Sequence, residues 1–111
     1  MTDQTELLHL LRQKTTDATY PITLEQKIEK KHLDDLVLFL EDATVILKND
    51  EFISKEILAE IVSSFITIRN ESERTKNTYL AEIAKKIDKC LNLIIISESI
   101  NDRKPGVPRI L

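Results

Sequence analysis

Glycine is nearly absent from this chain. The only one among 111 residues is Gly106, near the end of the sequence. A loop that cradles phosphate needs several glycines whose backbone can approach the ligand, so nucleotide binding of that kind is excluded. Proline is scarce too, with Pro21, Pro105 and Pro108 making up the total. An all-β chain needs many tight turns built on these two residue types, and here there are too few. Cysteine occurs once, at Cys90. A lone thiol forms no intramolecular disulfide, so nothing in the sequence calls for an oxidising compartment.

Charge of one sign is missing as well. Sixteen basic residues stand against 19 acidic ones, a net charge of −3. That balance lacks the basic excess of a nucleic-acid-binding domain and the polybasic cluster of a membrane-surface site. No nucleic acid and no membrane is therefore expected among the partners. The apolar run from Leu93 to Ile96 is far shorter than the ~20 residues that span a bilayer. The opening stretch MTDQTELLHLLRQK starts acidic, and its apolar run is too short for a signal-peptide core. The expectation is a cytoplasmic protein.

What remains is a chain with 41% hydrophobic and 32% charged residues, arranged in helical periods. The spacing predicts a short first helix over about Asp3 to Lys14, carrying Leu7, Leu8, Leu10 and Leu11, and ending at TTDATYP. A second is expected from about Leu24 to Lys48, capped by Thr23 with Gln26 three residues on. Its apolar stripe is Ile28, Leu36, Phe39, Leu40, Ala43, Ile46 and Leu47, with His32 filling a gap. The third covers about Phe52 to Arg69, with Ile57, Leu58, Ile61, Val62, Phe65 and Ile68 on one side. Asn70 and Glu73 then read as the cap of a fourth, about Glu71 to Glu98. Its stripe is Leu80, Ile83, Ala84, Ile87, Leu91 and Ile94, joined by Cys90.

Such helices bury their stripes against one another, at about 1.5–3 kcal/mol for each large apolar side chain that leaves water. Short links make antiparallel neighbours, so helices two, three and four form an up-down-up set and the first closes the fourth side. The fold class expected is all-α: a small antiparallel bundle of four helices, the first short, over residues 1–100. A non-helical tail containing proline and glycine follows over residues 101–111. Helices two and four outrun helix three, which should leave Leu93, Ile95, Ile96, Val37 and Leu38 poorly covered.

Few residues point to chemistry. His9 and His32 with one cysteine do not supply the three or four converging ligands of a metal site. Cys90 lies on a core stripe, where a thiol acts as a small hydrophobe and not as a nucleophile. The carboxylates Asp34, Asp35, Glu41 and Asp42 fall on a solvated helix face. Glu29 and His32 have the Glu-x-x-His spacing of a di-iron bundle, but the pattern needs two such pairs and occurs once. The basic stretch with Arg74, Lys76, Lys85, Lys86 and Lys89 is interleaved with acids and reads as paired surface. No catalytic residue, metal or cofactor is expected.

The tail joins Arg103, Lys104 and Arg109 to Val107, Ile110 and Leu111 around a Pro105-Gly106 turn signal. It reads as a strap over the bundle, as a segment that docks on a partner, or as a loose end. The function expected is a non-enzymatic protein–protein interaction module of the adaptor, chaperone or inhibitor kind. The partner-binding residues expected are Ile95, Ile96, Arg103, Lys104, Arg109, Ile110 and Leu111. The partner is another protein or a second copy of the chain. An alternative is a toxin or bacteriocin immunity-type protein, which shares the architecture only. An accessory subunit of an enzyme is a further alternative.

Overall fold

The computed structural model describes residues 3–102, which form four helices and no strand among those residues. They are α1 (Gln4–Glu25), α2 (Lys30–Leu47), α3 (Lys55–Thr75) and α4 (Thr78–Ile95), followed by a 3-10 turn at Ile100–Asp102. The all-α bundle of four helices is as the sequence predicts. The first helix is not short, and most helix ends lie elsewhere.

Asp3 opens α1 as expected, with Oδ1 accepting from the backbone N–H groups of Thr5 (3.1 Å) and Glu6 (3.2 Å). The helix then runs straight through TTDATYP. Thr15 and Thr19 within it, and Thr23 just beyond, fit the helix with each hydroxyl donating back to a carbonyl of the preceding turn. Thr15 donates to Arg12, Thr19 to Thr15 and Thr23 to Thr19. Thr15, Ala18 and Ile22 continue the buried stripe begun by Leu7, Leu8 and Leu11. Burial along this added length outweighs the penalty of Pro21 inside the helix. Thr23 is thus a residue of α1 and caps nothing. The helix stops at Gln26, in the left-handed region at φ 51°, where Lys27 N–H donates 2.8 Å to Pro21 O.

α2 consequently starts at Lys30, and its first core residue is Leu33, which is completely buried. Its neighbour His32 is only half-buried, so the core series expected to pass through His32 passes beside it. Ile46 is likewise exposed. α3 begins after Ser54, whose Oγ accepts from Glu56 N–H at 3.2 Å. It runs on past Asn70 and Glu73 because Ser72 extends the stripe of Ile57, Ile61, Ser64 and Ile68. The buried Ser72 hydroxyl donates to Arg69 O at 2.7 Å. Lys76, at φ 55°, closes α3, and Asn77 caps α4 by accepting from Leu80 N–H at 3.0 Å. α3 therefore rivals α1 in length and exceeds α2 and α4, the reverse of the expected order.

α1 packs on α2 and α3, and α4 packs on α3 and α2. The chain goes up, down, up and down, but α2 and α3 lie on a diagonal and are not the close neighbours expected. The link between them explains this. It runs over residues 48–54, longer than the link expected between about Lys48 and Phe52, because Phe52 and Ile53 stay outside α3. A link of that length reaches roughly 23 Å when extended, enough to cross the ~14 Å diagonal of helices packed about 10 Å apart. The Gln4 side chain holds it: Nε2 donates to Asp50 Oδ2 (3.1 Å) and Phe52 O (2.6 Å), and Oε1 accepts from Ser54 N–H (2.7 Å).

Two parallel contacts follow. Arg12 on α1 meets Glu56 and Glu60 near the start of α3. Tyr79 at the start of α4 meets Lys30 and Asp34 at the start of α2. α2 and α4 therefore finish at the same end of the bundle, where α1 and α3 begin.

Candidate partner-binding surface

The sequence expected Leu93, Ile95 and Ile96 near the end of α4, with Val37 and Leu38 on α2, to be poorly covered. The structure divides those residues. Leu93 and Ile94 are buried, as is Val37 on α2, so these three are not part of any open surface. Ile95 and Leu38 are each 59% exposed, and Ile96 is half-buried. Leu93 and Ile94 are covered because α4 packs on both α2 and α3 and because the chain turns back at its end.

That return is built residue by residue. Ser97 takes a left-handed conformation at φ 60°. Glu98 N–H then donates to Leu93 O at 2.9 Å and Ser97 N–H to Ile94 O at 3.2 Å, closing the helix. Ser99 becomes buried. Ile100 N–H donates to Thr44 Oγ1 on α2 at 3.0 Å. Asp102 completes the contact: its carboxylate accepts from Lys48 Nζ at 2.8 Å and from Ser99 N–H at 2.8 Å. Those bonds, that from Lys48 first, hold the Asp102 carboxyl below the usual aspartate range. Asn101 and Asp102, expected in a tail, thus belong to a turn that packs against α2. Arg103, Lys104, Arg109, Ile110 and Leu111 lie outside the described residues.

The sequence left two features of this end unmarked. Phe52, in the link pinned by Gln4, is 79% exposed. Val45 is 45% exposed and lies on the side of α2 that also carries Leu38. The signal for Val45 was its spacing: it follows Leu38 by seven residues and falls off the stripe of Leu36, Leu40, Ala43 and Leu47.

The residues weighed for chemistry are dispersed. His9 lines a surface groove beside Arg12, whereas His32 lines another beside Tyr20 and Pro21. Glu29 precedes α2 and pairs with Lys27 at 3.0 Å. Asp34 accepts from Tyr79 Oη at 2.6 Å. Cys90 is buried, and its thiol is pushed up to about 11, chiefly by desolvation and then by the Glu41 charge. Among the described residues no three His, Cys, Asp or Glu side chains gather as metal ligands. The basic stretch is partly neutralised within its own helices, by Arg74 on Glu71 (2.6 Å) and Lys85 on Glu82 (3.5 Å). No helix among the described residues is long and apolar enough to cross a membrane. Comparison with protein-family models, curated proteins and solved structures finds no match to this chain.

Proposed function

We propose that this chain is a non-enzymatic protein–protein interaction module that engages its partner through the end of the bundle where α2 and α4 finish. The observation that supports this reading is the exposure of Ile95 and Phe52 at that end. Large apolar side chains left in water at one end of a bundle favour a partner that removes them from it. The dispersed positions of His9, His32 and Cys90 favour binding over catalysis. A cytoplasmic setting goes with this reading, since Cys90 is a free thiol.

The experiment is capture from source-cell lysate by the full chain, compared with the full chain carrying Ile95→Lys and Phe52→Lys. Both side chains are exposed, so circular dichroism should show the same helical fold in the variant. The reading expects a protein held by the parent and lost by the variant. A second copy of the chain counts as such a partner, and light scattering would then report more than one 12.8 kDa chain. Equal capture by parent and variant, with equal mass in solution, overturns the reading.

A further inference from the structure

The outer side of α2 carries one column of residues at alternating spacings of four and three: Asp34, Leu38, Glu41, Val45 and Lys48. Leu38 and Val45 are the two large apolar members, and both are open to water. Acidic groups surround them. Glu41 lies between them and Asp42 beside it, and neither pairs with a cation among the described residues. The column thus presents two apolar contacts beside the carboxylates Asp34, Glu41 and Asp42, and ends on Lys48. Lys48, the one cation of the column, is taken up by Asp102, so an antiparallel second copy of α2 would set Glu41 against Glu41 with no cation of the column to offset it, and this face is poorly suited to self-pairing.

The described chain ends on this same column. Asp102 is held to Lys48, the last residue of the series, and the 3-10 turn that it ends packs on α2. The sequence that follows over 103–111 has the complementary chemistry. It carries Arg103, Lys104 and Arg109, contains no acidic side chain, and adds Val107, Ile110 and Leu111. Length also suffices. From Lys48 to Asp34 the helix rises about 21 Å, while a segment of this size reaches up to roughly 30 Å when extended.

We propose that the Leu38–Val45 face of α2 is the docking site for the chain's own segment 103–111. Its basic residues meet Glu41, Asp42 and Asp34, and its apolar residues cover Leu38 and Val45. Tethering at Lys48 makes the contact intramolecular, so that even modest affinity fills the face at the high effective concentration of a short link. The clasp between Asp102 and Lys48 sets where that segment starts. This inference goes beyond the proposed function and is independent of it, since it concerns neither Ile95 nor Phe52.

The test is amide NMR on the full chain, comparing the parent with the double variant Ile110→Asp, Leu111→Asp. The expected result is a change at the backbone amides of Leu38, Glu41, Asp42 and Val45, unaltered on dilution of the protein. The reciprocal variant, Glu41→Lys in the full chain, should change the amides of 107–111. One variant alters tail positions and the other the half-buried Glu41, and the unchanged amides of Leu33 and Ile61 in the core would report an intact fold in each. Raising the salt concentration should weaken the coupling, as screening reduces contacts between exposed charges. If the α2 amides stay unchanged in the double variant, the proposal is overturned. If the changes appear but fade on dilution, the segment docks on a second copy, and the intramolecular proposal is overturned in that form.

Discussion

Tyr79 and Asp34 join the first turns of α4 and α2: the phenol Oη donates to Asp34 Oδ1 at 2.6 Å and also approaches Lys30 O at 3.1 Å. The Lys30 ammonium sits 5.1 Å from the centre of the same ring. One side chain thereby ties together two helices that are distant in sequence and fixes their parallel sense. Desolvation, and then the hydrogen bond to Asp34, hold the phenol above the ordinary tyrosine range. Tyr79→Phe should destabilise the fold by about 1.5 kcal/mol, the lower end for a bond to a charged group, since water can reach Asp34. Because the folded-state value is raised, the contribution of Tyr79 is complete below the ordinary tyrosine pKa and is lost as pH rises beyond it. In an absorbance titration of the phenolates, the late step of the parent should be missing from Tyr79→Phe.

Gln4 is the corresponding tie at the opposite end. Its amide holds the 48–54 link by three hydrogen bonds, one of them to the N–H of Ser54, which caps α3. Gln4→Ala should cost about 1–3 kcal/mol, because Ser54 N–H loses its partner in a part-buried position. Denaturant unfolding would measure the loss. Hydrogen exchange should accelerate at Ser54 before it does in the middle of α3.

Pro21 lies inside α1 and has no N–H to give to the helix. Pro21→Ala restores that donor and should stabilise the protein by about 1–2 kcal/mol, the helix gain being reduced by the greater freedom of the unfolded chain. Thermal unfolding of the two proteins decides the matter. A lower midpoint in the alanine variant would mean that packing of the proline ring beside Tyr20 and His32 outweighs the missing hydrogen bond.

The clasp between Lys48 and Asp102 gives a pH dependence of the opposite sign. The Asp102 carboxyl is held below its ordinary range, so the clasp contributes fully above that range and is lost as pH falls through the lowered value. Carboxyl NMR should show Asp102 titrating at lower pH than a free aspartate. Lys48→Ala should bring it back up, though not entirely, since Ser99 N–H still donates to it. If the titration is the same in both proteins, the ion pair is not formed in solution.

Residue periodicity was enough to establish that this chain is all-α and which residues line much of its core. Ile57, Ile61 and Ile68 on α3, and Leu80, Ile83, Ile87, Cys90 and Ile94 on α4, recur at helical spacing and are all buried. A helix stripe can be read locally because its period comes from backbone geometry alone. Helix ends could not be read in this way. Thr23 and Asn70 have the chemistry of caps, but Ala18, Ile22 and Ser72 find buried places on neighbouring helices and carry α1 and α3 past them. Tertiary packing outweighs a local capping preference worth about 1 kcal/mol. The same holds for the surface. Leu93 and Ile95 look alike in the sequence, and only the packing of α4 on its two neighbours buries one and exposes the other. The diagonal placement of α2 and α3 was also a tertiary decision. It depends on where Ser54 starts α3 and on the grip of Gln4 from another helix, and no local pattern contains either.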